Sequence, residues 1–420
     1  MDSVAKRVIV IPDGFADDQL KELGNRTPMQ AARTATLDSW APRAAQGRSF
    51  NVPESLAPGS DVATLSLLGY DPLLSYTGRA PLEVAAQGIE LDDEDWAFRC
   101  NLVTIVDGVM NDFTAGHVST PEATQILRLI QETVAPRWRE ISAGLTGTVE
   151  FLPSVSYRNL AIFRPSASGE VFPFDQTTKS YPPHDYTDQE IAQALPTGSG
   201  ADALRALMRA CRDALQGFDV NRQRIAEGKK PVTDCWLWGQ GKRPRLQRFA
   251  EKFHWGPGVM ITAVDLLRGI ARNLGWNVLN VPGATGYVDT NFVGKGQAAA
   301  EALDEYDIVV VHVEAPDESG HEGSVEKKIA SLENIDALVL PPILDKLQTF
   351  DNWRLLISPD HPTPVALKTH TRGFVPWAII GSDVQGDGFD SYDEGVGAKA
   401  KRICQHGYEL MTLFLNGALQ

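Results

Sequence analysis

The sequence predicts an α/β protein in which helices cover both faces of a mostly parallel sheet, with an α+β domain inserted into it. Three observations support this fold class. Short, predominantly apolar runs such as RVIVIP, DIVVVHV and WRLLIS are typical of strands buried on both faces. Helical segments separate these strands along the chain, which favours helices on both sides of one sheet. The middle of the chain changes to strands in which apolar and polar residues alternate.

The individual elements follow one another in an order that fits this architecture. RVIVIPDG is typical of a buried strand and a turn, and TPMQAARTATLDSWA predicts a helix. APGSDVATLSLLGY combines a Gly-Ser turn with an amphipathic helix that closes at Gly69. Further strands are predicted in YDIVVVHV, NWRLLIS and FVPWAIIG, while VTDCWLWGQG and GVMITAVDLLRGIARNLGW return to strand-helix units.

The length and the change of pattern together predict two domains. A chain of 420 residues exceeds what one ordinary core accommodates. DWAFRCNLVTIVDGVMNDF and TVEFLPSVSYRNLAIFR carry the alternating pattern, and GADALRALM begins a helix. We therefore predict a core domain at 1–96 and 232–420 and an inserted domain at 97–231.

Charge and cysteine content exclude several classes of protein. The formal net charge is −15, which argues against a nucleic-acid or anionic-membrane binder. The four cysteines have no C-x-x-C spacing, which predicts reduced thiols in a cytoplasmic protein. The first residues enter a strand without a signal sequence, and no apolar run reaches the ~18 residues of a membrane span.

Acidic and imidazole side chains follow three of the predicted strands. Asp13, Asp317 and Asp360 stand just past strand ends, and three histidines lie within ten residues of them: His321, His361 and His370. Parallel strands deliver their carboxyl ends to a common edge, so these groups should converge. Such a set suits two divalent cations, zinc, manganese or a similar ion, which can clamp a phosphoryl group. Taken singly, each aspartate could instead serve as a turn residue or a helix cap.

Ser60 is the candidate nucleophile for phosphoryl transfer. It follows Gly59 at the start of a helix, where free backbone N–H groups and the helix dipole favour a bound anion. The alternative is that Ser60 is only the helix N-cap, the role that serine most often has at that place.

Several sequence blocks resemble one family. IPDGFAD, TPMQAARTATLD, PGSDVATLSLLGYDP, YTGRAPLEVAAQGIEL, WAFRCNLVT, VHVEAPDESGHEG and SPDHPTPVALKTHT come in the order found in archaeal-type, 2,3-bisphosphoglycerate-independent phosphoglycerate mutases. That family belongs to the alkaline phosphatase superfamily, so the resemblance implies an alkaline-phosphatase-like core. It also implies an isomerase of glycolysis and gluconeogenesis that moves the phosphoryl group of 3-phosphoglycerate to Ser60 and then to the 2-hydroxyl. The inserted domain would cover the substrate and exclude water.

The resemblance also implies which residues would hold each of the two metal ions. One ion would be held by Asp13, Ser60, Asp360 and His361, and the other by Asp317, His321 and His370. Manganese is the expected metal, with magnesium, cobalt or zinc as alternatives. The partner would be a small phosphorylated acid, and no nucleic acid or membrane is expected.

The arginines offer clamps for phosphate and carboxylate groups. Arg158, Arg268 and Arg79 are the candidates, although each could be a structural ion pair instead. His117 is added because it stands in NDFTAGHVST where the family has an arginine. A second departure from the family is Arg372-Gly373, where an acid is expected, and His184 and Asp185 in PPHDY match a family block without an assigned role.

Two alternatives to the mutase remain open. A related phosphotransferase, similar to homoserine kinases, or a phosphomonoesterase could use the same two-metal site with a different acceptor. A non-catalytic, metal-stabilised binding protein would need the same ligands without Ser60 chemistry.

Overall fold

The computed structural model describes residues 5–167, 171–417 and 419. The strands are, in chain order, β1 (Lys6–Pro12), β2 (Ala45–Phe50), β3 (Trp96–Val106), β4 (Val109–Asp112), β5 (Thr148–Val155), β6 (Arg158–Arg164), β7 (Asp234–Gly241), β8 (Gly258–Ile261), β9 (Asn277–Leu279), β10 (Ile308–Val313), β11 (Trp353–Ile357), β12 (Phe374–Gly381) and β13 (Arg402–Cys404). The helices are α1 (Pro28–Ala31), α2 (Ala35–Trp40), α3 (Ser60–Leu67), α4 (Pro72–Ser75), α5 (Arg79–Ala86), α6 (Thr120–Thr133), α7 (Trp138–Ile141), α8 (Ala201–Leu215), α9 (Asp219–Ala226), α10 (Phe249–Phe253), α11 (Asp265–Asn273), α12 (Phe292–Ala302), α13 (Ala315–Glu322), α14 (Val325–Asn334), α15 (Leu340–Leu347), α16 (Glu394–Lys399) and α17 (Glu409–Asn416).

The chain divides into two compact units. The first consists of Met1–Tyr76 and Arg245–Gln420, and the second is the continuous segment Thr77–Pro244. The sheet of the first unit has the strand order β13-β2-β12-β11-β1-β10-β8-β9. Strand β1 lies parallel to both β10 and β11, and β8 and β9 continue the parallel part, whereas β12 is antiparallel to its two neighbours. The mostly parallel α/β sheet predicted from the sequence is therefore confirmed.

Helices bury both faces of this sheet. Every residue of β1 is buried, which explains why its sequence is apolar from Val8 onward and does not alternate. On one face, Val8 and Val10 share a core cluster with Ile343 and Leu344 of α15. The apolar side chain of Ile9 on the opposite face is also fully buried.

The second unit is an α+β layer around an antiparallel sheet. Strand β3 pairs with β6 on one side and with β7 on the other, and β4 and β5 extend the sheet. The apolar stripes of α6 and α8 cover it with side chains such as Ile126 and Leu207. Helix α6 begins at a capping box, in which Ser119 and Glu122 each hydrogen-bond to the other's backbone N–H.

The second unit is wider than the range 97–231 that the sequence indicated. VTDCWLWGQG, which we expected in the core domain, forms β7 and pairs antiparallel with β3 of the second unit. Helix α5 also belongs to the second unit, because it packs against β3 and β7. Both boundaries of the second unit depend on pairing and packing between segments that are distant in sequence. The local sequence pattern carries no information about such contacts.

The helix predicted over TPMQAARTATLDSWA is wrong in its continuity, because it forms two short helices. Helix α1 ends where Ala32 turns to an extended conformation. Helix α2 then starts afresh because the carboxylate of Asp336 accepts hydrogen bonds from the backbone N–H groups of Thr36 and Leu37, at 2.9 and 2.8 Å. A distant side chain thus caps the second helix and fixes the break.

Among the helices of the described residues, none combines the length and the apolar character needed to cross a bilayer. The four cysteines are free and buried.

A buried ion pair ties the loop after β11 to the rest of the first unit. Lys328 Nζ lies 2.8 Å from Asp17 Oδ2, and both side chains are fully buried. Lys328 also donates to the carbonyl oxygen of Thr363, and Asp17 Oδ2 accepts from the backbone N–H of Val365. The pair therefore holds the backbone directly after His361.

We expect Lys328→Met to lower the free energy of unfolding by about 3–5 kcal/mol, because Asp17 would remain buried without its cation. Urea denaturation followed by circular dichroism measures this loss. Lys346→Met is the matched control, since Lys346 forms an exposed pair with Asp304, and exposed pairs contribute up to about 1 kcal/mol. Equal losses in the two variants would contradict the prediction.

Candidate metal centre

The centre lies where three neighbouring parallel strands end. Because β1 is flanked by β10 and β11, their carboxyl ends meet at one edge of the sheet. Asp13 follows β1 directly, Asp360 and His361 follow β11, and Asp317 lies in the first turn of α13 after β10. The structure therefore brings together the three aspartates that the sequence placed at strand ends.

A glycine makes this close approach possible. Gly14 follows Asp13 with a φ of +59°, a conformation that side chains rarely adopt. A Cβ atom at Gly14 would lie 2.4 Å from Asp317 Oδ1. The Pro-Asp-Gly turn thus lets the backbone after β1 pass close to the carboxylate of Asp317.

The first group of possible ligands is Asp13, Asp360 and His361, all fully buried. His361 Nε2 lies 3.4 Å from Asp13 Oδ1 and 3.4 Å from Asp360 Oδ2. Within the described part of the chain, these two carboxylate oxygens have no hydrogen-bond partner. The other oxygen of Asp360, Oδ1, accepts hydrogen bonds from the backbone N–H groups of Gly14 and His361. Buried carboxylate oxygens without donors are costly, and a divalent cation between them satisfies both, so these residues fit a metal ion.

The second group contains Asp317, His361 and His370, with His321 beside them. Asp317 and His321 stand four residues apart on α13, which puts them on one helix face. His321 Nε2 lies 3.2 Å from Asp317 Oδ2, and His370 Nε2 lies 3.3 Å from Asp317 Oδ1. The two imidazole Nε2 atoms are 2.9 Å apart. The six aspartates and histidines assigned to two ions from the sequence thus form one continuous cluster, with His361 in reach of both groups.

The carboxylates and imidazoles of this cluster shift one another's pKa values. Burial raises the pKa of Asp13 well above its usual range, and the negative charges of Asp360 and Asp317 raise it further. Burial also acts to raise the pKa of Asp317, but hydrogen bonds from His321 and His370 outweigh it and hold that pKa well below its usual range. The same hydrogen bond to Asp317 raises the pKa of His321 to about 9. Divalent cations would remove the repulsion among the carboxylates.

Ser60 is directed into the first group. It is the first residue of α3, and the N-cap position is taken by Gly59, so the Ser60 hydroxyl does not cap the helix. Instead it donates to Asp13 Oδ2 at 3.1 Å and lies 3.3 Å from His361 Nε2. The helix-cap alternative is therefore contradicted. The hydroxyl stands beside the possible cation ligands, at the positive end of the helix dipole.

Two residues at the centre were missed from the sequence. His312, in the middle of β10, is fully buried, and its Nε2 lies 2.9 Å from Asp13 Oδ2. Burial lowers the pKa of His312 to about 3, so the imidazole is neutral. The hydroxyl of Thr363 hydrogen-bonds to Asp317 Oδ1 and lies 3.3 Å from His361 Nδ1. For His312, the sequence offered one signal: a lone histidine inside an otherwise apolar strand.

Comparisons with known proteins decide the family. A model of the 2,3-bisphosphoglycerate-independent phosphoglycerate mutase family matches residues 41–221. A probable 2,3-bisphosphoglycerate-independent phosphoglycerate mutase of Geobacter sulfurreducens is 43% identical over 418 residues, covering 98% of this chain and 100% of the relative. The chain belongs to this family. A mutase of Methanosarcina acetivorans with the same family name is 44% identical over 391 residues, with 93% and 94% of the two chains covered.

Solved structures extend the mutase family's likeness to the fold. A protein from Pyrococcus horikoshii superposes with a TM-score of 0.81 at 25% identity, covering 99% of this chain and 98% of that one. The cofactor-independent phosphoglycerate mutase of Thermoplasma acidophilum gives a TM-score of 0.67 at 23% identity, with coverage of 99% and 100%. The α/β fold is thus shared over the whole length of these chains.

The second unit of this mutase-family chain carries a cluster of positive charge. Arg99, which was missed from the sequence, lies in β3, stacks over Trp238 at 4.3 Å and pairs with Glu83 at 3.0 Å. Burial lowers the pKa of Arg99, Glu83 raises it, and the charges of Arg79 and Arg158 lower it. Arg99 Nε is buried and, among the residues that the structure describes, has no hydrogen-bond partner. The two predicted arginines of this unit therefore lie close enough to act electrostatically on a third.

The remaining predicted substrate residues are spread over both units. His117 is exposed and has a φ of +49°, and its ring lies edge-to-face with that of Tyr157 at 6.2 Å between centroids. Arg158 lies over the same tyrosine ring. Arg268 belongs to the first unit, where α11 packs against α3. Its guanidinium donates to Asn280 Oδ1 at 2.8 Å. His184 packs edge-to-face against Trp238, with 5.7 Å between ring centroids, and Arg99 lies over the same tryptophan.

Proposed function

We propose that this enzyme interconverts 3-phosphoglycerate and 2-phosphoglycerate without 2,3-bisphosphoglycerate, through a phosphoserine formed on Ser60. The observation that carries the proposal is the Ser60 hydroxyl, 3.1 Å from Asp13 Oδ2 within a buried cluster of carboxylates and imidazoles. The names of relatives that are over 40% identical along nearly the whole chain support the substrate. The proposal includes a cytoplasmic role in glycolysis and gluconeogenesis.

Two divalent ions belong to this proposal, with manganese as the first choice and magnesium, cobalt or zinc as alternatives. Asp13, Asp360 and His361 together with Ser60 would hold one ion, and the other would be held by Asp317, His321 and His370. When bound, the ions would neutralise charge on the phosphoryl oxygens and lower the pKa of the serine hydroxyl.

The chain's own residues supply the proton path. As Ser60 Oγ bonds to phosphorus, the bond between phosphorus and O3 of the glycerate breaks, and the Ser60 proton moves to Asp13 Oδ2. That proton then passes to O3, which leaves glycerate and phosphoserine. In the second displacement the 2-hydroxyl gives its proton to Asp13 and bonds to phosphorus, and the proton returns to Ser60 Oγ as that oxygen leaves. The second displacement is the reverse of the first with a different glycerate oxygen, so the same residues serve both directions of an isomerase reaction.

Arginines of the second unit would hold the anionic groups of the substrate. Arg99 is the strongest candidate because its buried Nε lacks a hydrogen-bond partner among the described residues. Arg79 and Arg158 would add charge to the same cluster. His117 and Arg268 remain proposed substrate residues, and we also propose that this unit covers the bound substrate and excludes water.

We expect Arg99→Lys to raise KM for 3-phosphoglycerate by roughly 10- to 100-fold, because lysine keeps the charge beside Glu83 but loses the planar fork of donors. Steady-state kinetics measure the change. Arg137→Lys, on an exposed pair in the same unit, is the control and should leave KM unchanged. An unaltered KM in Arg99→Lys would remove Arg99 from the proposed site.

The activity itself is tested with the wild-type protein. Manganese-loaded enzyme is incubated with 3-phosphoglycerate and enolase in the absence of 2,3-bisphosphoglycerate, and phosphoenolpyruvate is followed by absorbance. Steady turnover supports the mutase. Release of free phosphate from simple monoesters, faster than any mutase turnover, would favour the phosphomonoesterase, and phosphorylation of an added alcohol such as homoserine would favour the phosphotransferase.

A further inference from the structure

His312 is a buried polar group at the centre that the proposed chemistry does not use. Its neighbours in β10 are isoleucine and valine, and the strand lies between β1 and β8. An imidazole in such surroundings is costly unless both ring nitrogens are hydrogen-bonded. Both are: Nε2 lies 2.9 Å from Asp13 Oδ2, and Nδ1 lies 3.2 Å from Thr262 Oγ1.

The contact with Asp13 assigns the tautomer of His312. As a cation ligand Asp13 is an ionised carboxylate, which only accepts hydrogen bonds, so His312 Nε2 carries the proton that is donated to Asp13 Oδ2. Nδ1 of the same ring then accepts from the hydroxyl of Thr262 at 3.2 Å, and Thr262 Oγ1 in turn accepts from the backbone N–H of Val264 at 3.1 Å. Lys295 Nζ holds the backbone of the same residue, since it donates to the carbonyl oxygen of His312 at 2.9 Å.

The hydrogen bond from His312 gives the two oxygens of Asp13 different surroundings. Oδ2 accepts from His312 and from Ser60, whereas Oδ1 lies 3.4 Å from His361 Nε2 and has no hydrogen-bond partner in the described residues. The donor at His312 thereby holds the plane of the Asp13 carboxylate in this orientation.

We infer that His312 is a positioning residue, which holds Asp13 so that Oδ1 is presented to a divalent cation while Oδ2 faces the Ser60 hydroxyl. The inference rests on the proposed function, because it takes Asp13 as a cation ligand. His312 itself contacts neither substrate nor cation in this arrangement. Outer residues of this kind typically change metal affinity 10- to 100-fold.

The test compares two replacements of His312 by calorimetric titration of the metal-free protein with Mn²⁺. His312→Leu removes the donor, and we expect one of two Mn²⁺ sites to weaken by roughly 10- to 100-fold. His312→Gln can place an amide N–H near the position of Nε2 and should restore most of the affinity. At saturating Mn²⁺, KM for 3-phosphoglycerate should stay at the wild-type value, because the change acts through the cation site.

Thr262→Val provides a second route if His312→Leu does not fold. Valine keeps the shape of threonine but removes the hydroxyl that contacts His312 Nδ1 and orients the ring, so the same Mn²⁺ site should weaken. Wild-type affinity at both sites in a folded His312→Leu, or in Thr262→Val where His312→Leu does not fold, would overturn the inference. Failure of the proposed function is distinguished by the wild-type protein: if it binds no Mn²⁺ or turns over no 3-phosphoglycerate, the function itself is wrong.

Discussion

Ser60→Ala is expected to abolish the phosphoenzyme and to lower kcat by roughly 10⁴-fold or more. The reason is geometric: the Ser60 hydroxyl is placed beside Asp13 and His361 at the start of α3. Intact mass measured after incubation with 3-phosphoglycerate should show a gain of one phosphoryl group in the wild-type protein and none in the variant.

Thr64→Val is the matched control for this experiment. Thr64 lies in the same helix and is fully buried, and its hydroxyl has no hydrogen-bond partner among the residues described. This variant should become phosphorylated and turn over like the wild-type protein. If Ser60→Ala kept its turnover or still gained a phosphoryl group, another residue would be the nucleophile.

Asp360→Asn and Asp317→Asn are each expected to reduce the bound manganese from two ions to one. An amide in place of the carboxylate removes one negative charge from one of the two groups of ligands, and the lost stabilisation of several kcal/mol corresponds to roughly 10³-fold in kcat/KM. Mass spectrometry of the dialysed protein for metal content, together with the enolase-coupled assay, measures both quantities.

Asp345→Asn serves as the control, because Asp345 is exposed on α15. It should bind two ions and keep the wild-type rate. Retention of both ions by Asp360→Asn and Asp317→Asn would show that these aspartates are not ligands. In that case the buried oxygens of Asp13 and Asp360 would need a different explanation.

The cluster at the sheet edge could be predicted because its determinants are local. Apolar strands identify themselves by composition, and in a parallel sheet the residue that follows each strand is brought to one edge. Asp13, Asp317 and Asp360 needed no knowledge of pairing order beyond that rule. His361 was assigned to one group, but its ring is within reach of both, and that detail depends on the packing of side chains.

The features that were missed depend on contacts between distant parts of the chain. Arg99 looked like one residue of an alternating strand, and only its packing over Trp238 beside Arg79 and Arg158 distinguishes it. His312 looked like an irregularity in an apolar run until its partners, Asp13 and Thr262, became visible. The break before α2 is likewise caused by Asp336, three hundred residues away along the chain.

The order in which the pieces of the sheet occur in the sequence has a consequence for synthesis on the ribosome. The second unit is one continuous segment, so it can fold as soon as Pro244 has left the exit tunnel. Strand β1 must wait much longer, because its neighbours β10 and β11 are translated only after Ile308 and Trp353 are reached. A truncated nascent chain ending before His370 therefore cannot complete the candidate metal centre, even when its second unit has already folded.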